Sequence, residues 1–277
     1  MRCIDFDKEF ERYLTAYVKE HGKEYRNYDA LEEAIPEVYD KFLSTPVNWL
    51  GGAAPGEYFA QFDQPRQLVN WMEDYMKQRI PVPDMLMNRI AELGLAAEEA
   101  LMNLLHKERS SQEARMSAIT LLQEIGSRAP MQEFIELQVN RADTQENELA
   151  DHALESLSAM GKDAIGPMRE ALSRATPEGQ QALLTLLCDV PGDETVFNTA
   201  MALFEQRREW AAVLADCLGR LNDQRALPLL IARAASEETP YLDYIELRNA
   251  IEMLGGDAPE RQFDAEDPDY EALRSLQ

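Results

Sequence analysis

The chain has 277 residues, 45% of them apolar, enough to bury a core in one extended domain or two smaller ones. Against 27 basic residues stand 51 acidic ones, a net charge of −24, and a field of that sign repels phosphate backbones and anionic lipid while favouring basic protein partners. No stretch approaches the roughly 18 to 20 apolar residues that cross a bilayer, and the acidic opening "MRCIDFDKEFERYL" lacks an unbroken apolar core, so a cytoplasmic protein is expected.

Residues 1–83 are read as a helical N-terminal cap domain. Phe6, Phe10, Tyr13, Leu14, Tyr17 and Val18 fall on one face of an amphipathic helix. In "DALEEAIPEVYDKFL", Asp29 and Glu32 have the spacing of a capping box, and Pro36 predicts a kink or break. Trp49, Tyr58, Phe59, Phe62 and Trp71 then crowd around a Gly51–Gly52 turn, with helix starts at Pro55 and Pro65. Trp49, Tyr58 and Trp71 are candidates for an aromatic ligand or peptide groove. A cap over the stripe of the following helices is the favoured reading, because the ends of stacked helical arrays must be sealed for solubility. The two prolines of "RIPVPD", Arg79 to Asp84, place a domain junction there.

From residue 84 to 256 one pattern recurs. Leu93, Ile125, Met160, Val190, Leu221 and Leu254 close apolar stripes at spacings of 32, 35, 30, 31 and 33 residues. Each is followed by a turn residue: Gly94, Gly126, Gly161, Pro191, Asn222 or Gly255. Three residues earlier stand Ile90, Leu122, Leu157, Leu187, Leu218 and Ile251; seven earlier stand Leu86, Ala118, Ala153, Leu183, Leu214 and Leu247. Steps of three and four put these side chains on one helical face. A second amphipathic segment follows each turn, with Pro130, Pro167 and Pro228 in its opening turn or so, where a missing amide costs little. Each unit of about 32 residues is thus a helical hairpin that hides its apolar faces by stacking on its neighbours.

"CLGRLNDQRALPLLIARA" resembles the HEAT-like repeat of phycobilin lyase subunits, and "SAMGKDAIGPMREALSRA" is a second match. The unit with "DVPGDETVF" departs most, because Pro191 replaces the turn glycine. The resemblance spans residues 84–256 and implies an all-α, right-handed solenoid of HEAT-like hairpins whose second helices, residues 96–108, 130–141, 163–174, 193–206 and 223–235, line the concave side. It says little about activity, since one repeat fold serves unrelated functions.

Residues 257–277 are read as an acidic tail with a short apolar docking turn at Tyr270 to Leu276. "DPDYEA" is not a calcium loop, because Ala272 stands where glycine is required.

The chemistry-bearing residues are sparse. His21, His106 and His152 are isolated, and no HExxH, phosphate loop, dinucleotide motif or GxSxG occurs, so no metal ligand, cofactor or catalytic residue is assigned. His152 beside Asp151 reads as a solvated or capping histidine. Cys3, Cys188 and Cys217 are odd in number and far apart, which fits reduced, buried thiols; Cys188, in "ALLTLLCDV", reads as inert. Arg141, Arg174 and Arg233 recur near the ends of second helices as a candidate anion-binding row, with complementation of helix C-termini the favoured role.

The expected function is a non-catalytic scaffold, adaptor or assembly factor that binds a protein partner with a basic surface on the concave face. The alternatives are a cofactor-handling enzyme or chaperone resembling the lyases and a DNA glycosylase resembling the HEAT-like alkylpurine enzymes. Charge opposes the last, because residues 85–235 carry 14 basic and 23 acidic side chains where a glycosylase needs a cationic groove.

Overall fold

The computed structural model describes residues 3–143 and 147–263. Among them the secondary structure is helical, without strands, and the chain divides into two units, Met1–Pro130 and Met131–Gln277. The docking turn expected at Tyr270 to Leu276 lies outside the described residues.

The first unit holds α1 (Phe6–His21), α2 (Tyr28–Ser44), α3 (Pro65–Gln78), α4 (Asp84–Glu92), α5 (Glu98–Leu105) and α6 (Gln112–Glu124). Asp5 caps α1 by accepting the Lys8 amide. The cap of α2 is Asn27, which accepts the Ala30 amide, so the expected Asp29–Glu32 box does not form: Asp29 already lies in the first helical turn. Nor does Pro36 break α2, which runs on to Ser44. Glu32 and Pro36 are both exposed, so solvent can reach the carbonyl left without an amide partner. Pro65 opens α3 at a position where its missing amide is harmless. That helix buries Leu68, Val69, Trp71, Met72 and Tyr75 and packs on α4, α5 and α6. The Pro-rich segment before Asp84 therefore separates α3 from α4 inside one unit, and the division between units falls at Pro130–Met131.

The second unit holds α7 (Met131–Val139), α8 (Glu148–Met160), α9 (Lys162–Ala171), α10 (Pro177–Leu187), α11 (Glu194–Gln206), α12 (Ala211–Arg220), α13 (Leu227–Ala234) and α14 (Tyr241–Met253). Here α8 packs on α10, α10 on α12, and α12 on α14. Thr176 and Asp193 cap α10 and α11 through their side chains. Pro228 sits in the first turn of α13, but Pro167 is the sixth residue of α9, deeper than its sequence context implies.

All twelve stripe positions, three and seven residues before the predicted turns, are at most 1% exposed. The stripe-closing residues differ: Leu221 and Leu254 are buried, whereas Leu93, Ile125, Met160 and Val190 are half-buried. Five of the six turn residues, Gly94, Gly126, Gly161, Asn222 and Gly255, have positive φ. Proline cannot adopt that conformation. At the sixth turn the positive φ moves one residue on, to Gly192 at +82°.

Candidate binding surface

In the first unit the aromatic stretch packs upon itself. Phe6 brings Trp49, Tyr58 and Phe59 within 5.8–6.0 Å of its ring centre. Trp71 meets Phe62 edge to face at 4.6 Å and Phe59 at 6.1 Å. Of the three groove candidates, Trp71 is buried, Tyr58 half-buried and Trp49 43% exposed. Tyr58 and Trp49 thus reach the surface as the outer members of a core cluster.

Two residues past Trp71, α3 carries a buried carboxylate. Glu73 accepts from Lys107 at 2.7 and 2.9 Å and from Ser110 at 3.2 Å, and pairs with Lys77 at 2.9 Å. Burial pushes its carboxyl up, but hydrogen bonds from the two lysines outweigh that and hold it below its usual 4.5. It ties α3 to the segment just beyond α5 and borders a cleft of about 340 Å³.

The arginines of the second unit are placed by its turns and helix ends. Arg174, in the turn that ends α9, reaches back to α7 and grips both oxygens of Glu136 at 2.6 and 2.7 Å. Arg220, at the end of α12, holds Asp189 at 2.5 and 2.9 Å. Arg225 holds Glu194 at 2.8 and 3.2 Å and stacks on Phe197 at 4.4 Å. Arg207 pairs with Glu178, Arg208 with Glu238, Arg169 with Asp193 and Arg248 with Glu252. Arg141 bridges Gln138 and Asp151, so Asp151 is engaged by an arginine on the far side of the loop before α8. Arg233 donates to the Phe204 carbonyl in the last turn of α11 and lies over the Phe204 ring. Arg261 donates to the carbonyls of Thr239 and Glu237 and lies over Phe263.

Every described arginine of Met131–Gln277 therefore has an acceptor within the chain. Arg141, Arg174 and Arg233 each face a different local acceptor, and Arg233 borders a cleft of about 490 Å³. Missed from the sequence were their acceptors, Glu136, Glu178, Asp189 and Glu194. A signal was present, since the pairs 136/174, 178/207, 189/220 and 194/225 are separated by 38, 29, 31 and 31 residues, close to the repeat spacing.

The unit has 12 basic and 29 acidic residues. With its arginines engaged by acceptors of the chain, exposed carboxylates such as Glu155, Glu170 and Glu205 set the sign of the surface. Among the described residues no group of three or more His, Cys, Asp or Glu side chains is arranged to hold a metal ion, and no helix is long and apolar enough to cross a membrane. No protein-family model, curated protein or solved structure matches the chain.

Proposed function

We propose that this chain is a non-catalytic cytoplasmic scaffold, an adaptor or assembly factor, whose helical pairs stack as a right-handed HEAT-like solenoid and receive a basic protein partner along their second helices. The observation that carries this reading is the charge arrangement of Met131–Gln277: arginines bound to acceptors of the chain itself, amid an excess of 17 acidic residues. Guanidiniums already paired are poor phosphate ligands, because contacting a phosphate backbone means surrendering a partner for each charge offered. Unopposed carboxylates attract lysine- and arginine-rich surfaces, and raise the rate of encounter more than the final affinity.

Affinity capture from the source cell at about 0.05 and 0.5 M salt tests the proposal. The expected partner is a basic protein, retained at low salt and released at high salt. It should be lost from a Glu170→Lys, Glu205→Lys variant. A partner that is acidic, or one that stays bound at high salt and to the charge-reversed variant, rejects it. Nucleic acid in the captured material would revive the glycosylase-like alternative, and a visible absorption band the lyase-like one.

A further inference from the structure

Cys188 and Cys217, 29 residues apart in sequence and both buried, come together where α10 meets α12. The Cys188 thiol points at the Thr185 carbonyl at 3.4 Å, and the Cys217 thiol at the adjacent Leu184 carbonyl at 3.9 Å. Both carbonyls belong to the last turn of α10, so the two thiols sit against the same stretch of its backbone. We propose that Cys188 and Cys217 are an oxidisable dithiol, a modification site at which hydrogen peroxide forms a disulfide joining α10 to α12.

Three features of the surroundings support this. Cys188 is the first residue past α10 and precedes the exposed Asp189 of the Pro191–Gly192 turn, so a small opening of that turn uncovers it, whereas Cys217 lies within α12. The Arg220 guanidinium, three residues past Cys217, is held by Asp216 and by Asp189, the residue next to Cys188. The neighbouring Cys217 and the charge of Arg220 pull the Cys188 thiol down against its burial, while the neighbouring Cys188 and burial push Cys217 up. Cys188 is thus the attacking thiolate and Cys217 the resolving thiol.

In the first step the Cys188 sulfur attacks one peroxide oxygen, the O–O bond breaks, and the departing hydroxide takes a proton to leave as water, giving a sulfenic acid. In the second, the Cys217 sulfur displaces hydroxide from that sulfenic acid, and its own proton leaves with it as a second water. One peroxide is reduced by two electrons and two thiols are oxidised to one disulfide. A small neutral oxidant suits a buried pair; bulky disulfides cannot reach it in the folded state.

The test treats native full-length protein with hydrogen peroxide, removes the excess with catalase, blocks remaining thiols with N-ethylmaleimide in denaturant and maps tryptic peptides. The expected product links peptide 175–207 to peptide 209–220, lighter by two hydrogens than the free pair, and separates on reduction. In Cys217→Ser the intermediate has no resolving partner, so dimedone should label Cys188. Recovery of both cysteines as maleimide adducts from the treated native protein, or a link formed only when peroxide is added in denaturant, overturns the proposal. Dimedone labelling of Cys217 in Cys188→Ser, with none of Cys188 in Cys217→Ser, overturns the assigned roles.

Discussion

Arg174 grips both carboxylate oxygens of Glu136 from 38 residues away, joining the end of α9 to α7. Both side chains are more than two-fifths exposed, so the pair sets geometry more than stability, as is usual for ion pairs in water.

The hydrogen bonds from Arg174 hold the Glu136 carboxyl below its usual 4.5. A carboxyl depressed on folding contributes stability that is present above 4.5 and lost as pH falls through the lowered value. The Glu136 carboxyl resonance, followed by NMR, should therefore titrate below 4.5 in the native protein and return toward it in Arg174→Ala. Unfolding midpoints of the two should differ only slightly at neutral pH, and less in 1 M salt. An unchanged Glu136 titration in the variant refutes the pairing.

Leu157 and Leu218 are fully buried on α8 and α12. Each Leu→Ala change removes apolar contact and leaves a cavity, costing about 2–5 kcal/mol. Urea unfolding should show the loss as a lower midpoint at an unchanged slope; a loss below about 0.5 kcal/mol at both sites contradicts their place in the core.

Gly179 on α10 lies so close to α7 that a β-carbon there would stand 2.1 Å from the backbone oxygen of Gln138. Neither partner is a flexible side-chain end, so Gly179→Ala must shift a helix, and a cost of about 1–3 kcal/mol or more is expected. At Gly126 a β-carbon meets nothing within 4 Å, but φ is +70°; Gly126→Ala should cost about 1–2 kcal/mol from backbone strain alone. Wild-type stability of Gly179→Ala rules out the close approach.

Glu73 is 4% exposed and accepts from Lys107 and Ser110 while pairing with Lys77. Glu73→Ala should cost about 1–3 kcal/mol by taking the acceptor from a buried network. Lys107 and Lys77 are about half exposed, so solvent recovers their charges and the loss stays below that of an orphaned buried ion. Because the Glu73 carboxyl is depressed, its contribution persists above pH 4.5 and fades below it. The difference between wild type and Glu73→Gln, measured by urea unfolding from pH 7 to pH 3, should narrow at the acid end; a constant difference refutes the charge-assisted bonding.

A chain starting near Val82 loses α1, α2 and α3, and with them Leu68, Met72 and the Glu73 anchor that cover α4, α5 and α6. It should keep a helical circular-dichroism spectrum but lose solubility. Full solubility with unchanged stability would mean that the first 81 residues are dispensable to the unit they pack in.

Periodicity and turn chemistry alone locate the twelve buried stripe positions and the positive-φ turns, because helix phase and left-handed caps are local properties, written in residues three, four and seven apart. They fail where neighbouring residues compete for one role. Asn27 caps α2 in place of Asp29, and the left-handed position passes from Pro191 to Gly192. Packing alone decides the relations between residues 29 to 41 apart: Glu136 with Arg174, Gly179 against Gln138, Glu73 with Lys107, Cys188 with Cys217. Composition shows the acid excess, but not that the arginines are turned onto acceptors of their own chain, since a guanidinium finds its partner only when stacked helices bring a carboxylate or a helix-end carbonyl within reach of its long side chain.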